Sequence, residues 1–130
     1  MAEESYPDEL KYHREHDWAR IEGNQATFGV TWFAQDSLGE IVFFDPPDTG
    51  TEISANQPYA EIESVKAVSD VFAPLSGEIV EVNEALKDDP EKINADPYGD
   101  GWLVKVRLSD TAEVDSLMDV TAYRQLLKDE

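Results

Sequence analysis

The amino-acid sequence predicts a mainly β domain with short helices and a C-terminal helical segment, arranged as an antiparallel sandwich or barrel-like fold. Three observations support this fold class. Six or seven short segments have the composition or alternation of strands, turn residues separate them, and helical spacing is concentrated near the C-terminus. With 130 residues, the chain has the size of one domain with a modest core.

The N-terminal part of the chain divides into a lead and a strand pair. Its first residues are polar and acidic, so we expect a flexible lead over residues 1–9, followed by a single domain over residues 10–130. The turn pair Gly23 and Asn24 interrupts the run HDWARIEGNQATFGVT, which therefore predicts two short strands.

A short helix and a third strand are predicted next. Phe33, Ala34 and Leu38 have helical spacing, and Gly39 would end this helix. The following run, EIVFFD, is rich in aromatic and β-branched residues, which favour a strand. Two prolines and a glycine after this run predict that the strand stops there.

Two more predicted strands flank Lys66. In YAEIES the residues alternate, so that Ala60, Ile62 and Ser64 face one side of the strand. The run AVSDVFA resumes strand composition after Lys66 and continues to Pro74. Because only two or three residues separate the two patterns, we expect a tight hairpin with Lys66 exposed at its tip.

The last strands are predicted on either side of an acidic loop that is rich in proline and glycine. The run SGEIVEVN alternates imperfectly, because Ile79 and Val82 are out of step with a period of two. After the loop, WLVKVRL is predicted as a strand with one apolar face, made of Trp102, Val104, Val106 and Leu108.

The C-terminal segment is predicted to be helical. Ser109 and Asp110 are suited to cap a helix over TAEVDSLM, and Asp119 is suited to cap the following run, VTAYRQLL. The second of these helices has an apolar stripe that consists of Val120, Tyr123, Leu126 and Leu127.

The composition limits the possible function classes. The formal net charge of -19 predicts repulsion from nucleic acid and from anionic membranes, and favours partners with basic surfaces. The absence of cysteine excludes disulfides, thiolate metal sites and a cysteine nucleophile. No run reaches the length of a transmembrane helix, and MAEESYPDEL has neither an apolar signal-peptide core nor the arginines of a transit peptide. We therefore expect a cytoplasmic protein.

Lys66 stands out because of its charge. It is the only Lys or Arg between Ile21 and Leu86, a window that contains twelve Asp or Glu residues. A single exposed lysine has two interpretations: a solubilising side chain, or a chemical handle for a modifying enzyme. The isolation of this amine favours the handle, because a second nearby lysine would be a competing target.

Other candidate motifs do not indicate catalysis or metal binding. His13 and His16 have the spacing of a helical metal pair, but they precede a strand and have no obvious third ligand, so a structural role is favoured. DPYGDGW lacks an EF-hand, because Tyr98 and Arg107 occupy positions that need oxygen ligands. Dinucleotide, Walker and nucleophile-elbow motifs are also missing. We expect a chain that is not itself an enzyme and holds no metal.

Five runs together resemble the glycine cleavage system H protein, a family of lipoyl carrier proteins. ESVKAVSDVFAPLSGEIVEVNEAL is similar to the family's lipoyl-attachment segment, and KYHREHDWAR to its His-acidic-Trp element. FGVTWFAQDSLGEIVFFDPPDTG, INADPYGDGWLVKV and LMDVTAYRQLL are similar to its central block, its glycine-rich turn and its closing helix. The resemblance extends over about residues 10 to 127, nearly the whole chain.

The resemblance implies a hybrid barrel-sandwich, the lipoyl/biotinyl-domain-like fold, with lipoic acid joined by an amide to Lys66. It further implies a non-catalytic shuttle that takes an aminomethyl group from a pyridoxal-phosphate glycine decarboxylase to a tetrahydrofolate-dependent aminomethyltransferase. A flavin (FAD) enzyme, dihydrolipoamide dehydrogenase, would then reoxidise the arm, and a lipoate-attaching enzyme would install it. A monomer suits such a shuttle.

The resemblance also implies roles for residues near Lys66. Recognition by the modifying enzyme and by partners is expected to involve Glu61, Glu63, Ser64, Val65, Ala67 and Asp70. Asp17 matches the acidic residue of the His-acidic-Trp element, which in the family lies near the loaded arm. It is one methylene shorter than the family's usual Glu, and an exposed acid beside Trp18 is the alternative interpretation.

Several alternatives stay open. Two departures from the family pattern, FFDPPDTG and the valine at position 68, are compatible with an H-like lipoyl carrier for another pathway, such as sulfur oxidation or lipoyl relay. A biotin carrier is disfavoured, because Val65 and Ala67 stand where biotinylated lysines usually have methionines. The alternative from a different class is an acidic interaction module in which Lys66 stays unmodified.

Overall fold

Nine strands form two antiparallel sheets in the structure, a computed structural model that describes residues 3–130. The strands are β1 (Lys11–His13), β2 (Asp17–Glu22), β3 (Gln25–Val30), β4 (Ile41–Asp45), β5 (Glu52–Ile53), β6 (Pro58–Ser64), β7 (Val68–Phe72), β8 (Gly77–Val82) and β9 (Val104–Leu108). The larger sheet has the order β1-β2-β3-β9-β8-β5, and the smaller sheet has the order β4-β6-β7. The predicted mainly β class is confirmed, and both sheets are open, so no closed barrel forms within the described part of the chain.

The main hydrophobic core lies between the two sheets. Phe28, Ile79 and Val106 contribute to it from the larger sheet, while Phe44 and Ile62 contribute from the smaller one. All five side chains are nearly inaccessible to solvent. Burial of this apolar surface is the dominant stabilising term, and it also determines which face of β6 remains in water.

Three α-helices and two 3₁₀ helices complete the fold. The α-helices are α1 (Trp32–Leu38), α2 (Lys92–Ala95) and α3 (Val120–Lys128), and the 3₁₀ helices are Glu84–Lys87 and Thr111–Ser116. The predicted end of α1 is confirmed, because Gly39 takes a φ of 81° that glycine adopts readily. The side chains of Asp110 and Asp119 accept hydrogen bonds at the two predicted C-terminal caps.

An aromatic cluster joins the N-terminal residues to α3. Tyr12 stacks on Tyr123 with ring centroids 4.7 Å apart, and Tyr6 packs edge-on against the same ring. Tyr6 falls within the lead expected over residues 1–9, and it is buried. Residues 1 and 2 of that expected lead lie outside the described residues.

Three details differ from the sequence-based expectations. Trp102 precedes β9 and packs into the aromatic cluster instead of sharing the strand's core face. The acidic loop contains α2 and a 3₁₀ helix, each only four residues long. The uneven alternation of Ile79 and Val82 has a physical cause, because a β-bulge shifts the register between Ile79 and Glu81.

Among residues 3–130, no helix has the length and apolar character needed to cross a membrane.

Candidate functional site

Lys66 lies at the tip of the β6–β7 hairpin, as predicted. β6 ends at Ser64 and β7 begins at Val68, so three residues form the connection. The side chain of Lys66 is exposed, and its ammonium makes no ion pair with any described residue. A primary amine in this position is accessible to an enzyme from several directions.

Ser64 holds the tip in one conformation. Its buried side chain places Oγ 3.3 Å from the backbone nitrogen of Lys66 and 3.1 Å from that of Ala67, and both N–H groups donate to it. The backbone N–H of Ser64 also donates to the carbonyl of Ala67 at 2.8 Å. The hydroxyl oxygen thus accepts hydrogen bonds from turn N–H groups that have no carbonyl acceptor on a neighbouring strand.

A second contact fixes the tip to the end of α1. The N–H of Val65 donates to the carbonyl oxygen of Glu40 at 3.0 Å. The side chain of Lys66 lies over Gly39, and a Cβ atom at that glycine would be 3.7 Å from Lys66 Cε. The far end of the lysine side chain, next to its ammonium group, therefore lies beside the C-terminal end of α1.

The solvent-facing side of the smaller sheet carries two cross-strand rows next to the tip. Directly opposed residues share a face, and strand positions two apart do so too. The row nearer the tip consists of Phe43, Glu63 and Val68. The next row consists of three exposed carboxylates, Asp45, Glu61 and Asp70. The structure thus brings Glu61, Glu63 and Asp70 together, and adds Asp45 and Phe43, which only the β4–β6 register reveals.

Asp17 is buried, which rules out the interpretation as an exposed acid. It is 2% exposed, and its Oδ2 atom has no hydrogen-bond partner among the described residues. Burial raises the pKa of Asp17 well above 3.8, and the nearby Glu15 raises it further, while a backbone hydrogen bond from Phe72 acts in the opposite direction. Its position in the sequence, between His16 and Trp18 at the start of a strand, does not by itself show this burial.

Asp17 lines a small pocket between the two sheets and α1. The pocket has a volume of about 40 Å³, and its apolar wall includes Ala34, Leu38 and Ile62. Asp70 also lines it. Since α1 contributes to this pocket and Gly39 at its end lies under Lys66, the helix connects the lysine with the buried carboxyl group.

Both histidines have protein partners. Nδ1 of His13 accepts from the N–H of Glu15, so its Nε2–H donates to Asn56 Oδ1 at 2.6 Å. His16 contacts the hydroxyl of Tyr123 at 2.8 Å and the carboxylate of Glu130 at 3.2 Å. The described residues contain no group of three His, Cys, Asp or Glu side chains arranged to hold a metal ion.

The residues around the tip fit a lipoyl group. An amide joint needs an exposed amine, and Lys66 provides it on a short, fixed turn. The Oδ2 atom of Asp17 has no hydrogen-bond partner among the described residues, and it offers a polar contact in a pocket lined by both apolar side chains, such as Leu38 and Ile62, and polar ones, such as Ser69. Such a combination suits an apolar arm that ends in a polar group.

Comparison with known proteins identifies the family. The family model for the glycine cleavage H-protein matches residues 10–130. The glycine cleavage system H protein of Halorhodospira halophila is 51% identical over 125 residues, which cover 95% of this chain and 96% of that protein. The H protein of Enterobacter sp. strain 638 is 55% identical over 125 residues, covering 95% of this chain and 97% of that protein.

A solved structure agrees. The crystal structure of a glycine cleavage system H protein from Mycobacterium marinum superposes with a TM-score of 0.87 at 38% sequence identity. The match covers 95% of this chain and 99% of that one. It confirms the lipoyl-domain-like sandwich that the sequence predicted. The chain belongs to the glycine cleavage H-protein family.

Proposed function

We propose that this chain is the lipoyl-bearing shuttle of the glycine cleavage system and that Lys66 is its attachment residue. The observation that carries the proposal is the tip itself. An isolated, exposed amine lies on a turn that is fixed by Ser64 Oγ and by the carbonyl of Glu40. Family membership supports the glycine cleavage role.

The protein itself contributes the attachment point for the lipoyl group and the position from which the group reaches other enzymes. When bound, a lipoyl group supplies a disulfide that can accept an aminomethyl group and two electrons. The hairpin fixes where the arm starts, and the tether raises the local concentration of its reactive end at a docked enzyme. No side chain of the tip has to act as a catalyst, so we propose a carrier that is a cosubstrate of other enzymes.

The partners proposed for this role are three enzymes that act on the arm and one that installs it. They are the pyridoxal-phosphate glycine decarboxylase, the tetrahydrofolate-dependent aminomethyltransferase, the FAD-containing dihydrolipoamide dehydrogenase and the lipoate-attaching enzyme. The carboxylate row on the smaller sheet supports docking to basic surfaces of such partners, because complementary charge accelerates association.

Asp17 is proposed to contact the loaded arm. Its carboxyl group has one oxygen without a hydrogen-bond partner among the described residues, and that oxygen can accept a hydrogen bond from an amine. Replacing Asp17 with Ala is expected to accelerate non-enzymatic loss of the aminomethyl group from the loaded protein. An unchanged rate of loss, measured by mass spectrometry over time, would refute this role.

The proposed function is tested by reconstitution. Lipoylated protein is combined with purified glycine decarboxylase, and the exchange of labelled bicarbonate into glycine is measured. We expect exchange with the wild-type chain and with Lys87→Arg, and none with Lys66→Arg, because both substitutions keep the charge but only one removes the attachment amine. A lipoylated wild-type chain without exchange would instead identify a carrier for another pathway.

A further inference from the structure

The exposed apolar side chains of the protein are concentrated around Lys66. In the described part of the chain, the large hydrophobic residues that are exposed are Val42, Phe43, Val65 and Val68, with exposed fractions of 45, 49, 66 and 62%. Val65 and Val68 flank Lys66 on the hairpin, and Phe43 and Val68 lie in one cross-strand row on either side of Glu63. Single exposed hydrophobic residues are normal on a surface, but a group confined to one end of one sheet marks an interaction site.

Val42 belongs to the same surface because of a bulge. The register of β4 against β6 shifts between Ile41 and Phe43, so Val42 is the unpaired residue and is exposed together with Phe43. Without the bulge, alternation would place one of these neighbours on the buried face. We call these four residues the apolar tip patch.

The charge pattern beside the apolar tip patch defines its partner. Two positions further along the strands, roughly 7 Å away, is the row of Asp45, Glu61 and Asp70. Carboxylates directly opposite one another destabilise a sheet. These three make no ion pair with any residue between 3 and 130, so the fold does not neutralise the row itself. A complementary protein therefore has an apolar surface bordered on one side by Lys or Arg.

We propose that the apolar tip patch is the docking surface of the enzyme that acylates Lys66. This inference rests on the proposed function, because it requires Lys66 to be the acylated residue. An enzyme that forms a bond at the lysine Nζ must bring its active site to the tip, and it therefore covers Val65 and Val68. Enzymes that act on the far end of the arm meet their reactive group away from the hairpin.

A second copy of the chain is a poor occupant of this surface. Two patches brought together would also bring together two carboxylate rows, in a protein whose formal net charge is already -19. By contrast, the unmodified Lys66 adds only one positive charge beside three carboxylates, so a basic enzyme surface is still attracted before acylation.

The test uses a purified lipoate–protein ligase with ATP and lipoate. In this reaction the lipoate carboxylate attacks the α-phosphate of ATP, which forms lipoyl adenylate and releases pyrophosphate. The Lys66 amine then attacks the carbonyl carbon, and AMP leaves. The lysine ammonium releases two protons as the amide forms. The rate of acylation is followed by intact mass at several carrier concentrations, for the wild type and for variants of the full chain.

The double variant Phe43→Ser, Val68→Ser is expected to lower kcat/KM for the carrier by about tenfold, mainly through KM, because truncated apolar anchors weaken docking. Phe43→Leu with Val68→Ile keeps the surface apolar and is expected to stay within about twofold of the wild type. Val80→Ser, a half-buried position on β8 of the other sheet, is the matched control and is expected to leave kcat/KM unchanged.

The outcomes separate the two proposals. If the wild type is not acylated at Lys66, the proposed function fails. If the wild type is acylated and the serine double variant has the same kcat/KM, the docking inference is overturned while the function stands. It is equally overturned if the double variant loses only glycine–bicarbonate exchange, or only self-association in sedimentation, because another occupant then covers the patch. Circular dichroism of each variant confirms that the comparison is between folded proteins.

Discussion

Ser64 illustrates how one side chain can prepare a modification site. The residue is buried, yet its Oγ faces the turn and accepts from the N–H groups of Lys66 and Ala67. Its alternation with Ala60 and Ile62 predicted that the three side chains share one side of the strand, and the structure shows that all three are buried. The hydrogen bonds to the turn could not be predicted, because they depend on the three-residue connection closing back over β6.

Replacing Ser64 with Ala is expected to destabilise the protein by about 1 kcal/mol and to slow acylation of Lys66 by a few-fold. The variant leaves two turn N–H groups without their acceptor, and a looser tip presents the amine less often in the right geometry. Unfolding in urea and intact-mass kinetics measure the two effects. Ser69→Ala is the control, because the Ser69 hydroxyl donates to the neighbouring carbonyl of Asp70 and does not contact the tip.

Asp17 shows that resemblance to a family can identify a candidate site residue without revealing whether that residue is buried or exposed. The family motif singled out this carboxyl group, but only the packed structure shows it buried with one oxygen unpartnered. The sequence left an exposed acid beside Trp18 as the alternative interpretation. In the structure, Asp17 begins β2, and its side chain lines the small pocket together with residues of α1 and β7.

Asp17→Asn is expected to stabilise the protein at pH 8 by about 1–3 kcal/mol, with the difference disappearing towards pH 4. The folded state raises the pKa of this carboxyl group above 3.8, so it binds the proton more tightly than the unfolded chain does. Wild-type stability therefore falls as the pH rises from about 3.8 through the folded pKa, whereas the asparagine has no proton to lose.

Urea unfolding of the wild type and Asp17→Asn across this pH range measures the difference. Asp70→Asn, an exposed position that lines the same pocket, serves as the control and is expected to show a much smaller dependence. A stability difference between wild type and Asp17→Asn that is constant from pH 4 to pH 8 would contradict the raised pKa of the buried Asp17 carboxyl group.

At the scale of elements, the strands with clear alternation or with many β-branched and aromatic residues were predictable, whereas the shortest strands were not. β6, β7 and the Gly23–Asn24 turn follow directly from alternation and turn residues. β1 and β5 have three and two residues, too few for a period of two to be recognised. The pairing of β4 with β6 joins distant parts of the chain, so the carboxylate row and the apolar tip patch had no signal in the sequence.

Besides its aromatic packing, the C-terminal helix makes polar contacts with distant residues through one buried hydroxyl. Tyr123 on α3 lies 2.8 Å from Thr31 Oγ1 and 2.8 Å from His16 Nδ1, so it joins the cap of α1 to the turn after β1. The apolar stripe of α3 predicted that Tyr123 is buried, and this is confirmed. Its polar contacts come from residues about ninety and a hundred positions away.

Tyr123→Phe is expected to cost about 1–2 kcal/mol of unfolding free energy. The ring and its stacking on Tyr12 remain, while the buried Thr31 hydroxyl and the half-buried His16 ring lose a hydrogen-bond partner. Tyr6→Phe is the matched control: the hydroxyl of Tyr6 donates only to the side chain of Glu4, so a smaller loss is expected. Equal stabilities of the two variants, measured by urea unfolding, would argue against a joining role for the Tyr123 hydroxyl.

At the scale of the whole molecule, all five tyrosines are affected by burial. Burial raises the pKa of Tyr6, Tyr12, Tyr59, Tyr98 and Tyr123 above the ordinary value of 10.0. The folded protein thus keeps protons that the unfolded chain releases above pH 10. The stability associated with these groups is present below pH 10 and is lost as the pH rises further.

We therefore expect phenolate absorbance to appear late and cooperatively in an alkaline titration. The increase should coincide with the loss of the circular dichroism signal, and it should start well above pH 10. A gradual rise centred at pH 10, with the fold intact, would show that the tyrosines are accessible to solvent and would contradict the buried aromatic cluster.

The whole fold was more predictable than the site because its signals are repeated along the chain. Many short alternating segments indicate an antiparallel sandwich even when individual boundaries shift. The surface around Lys66 depends instead on the exact register of three strands and on one bulge. The exposed position of Lys66 at a hairpin tip could be predicted, but the surface that surrounds it required the structure.

The most direct test of the central claim is the intact mass of the protein produced in a host that can attach lipoate, followed by peptide mapping. We expect that the chain gains the mass of one lipoyl group, that the group is on Lys66, and that Lys66→Arg abolishes the gain while Lys87→Arg does not. An unmodified wild-type chain under lipoate supply, or a lipoyl group on another lysine, would contradict it.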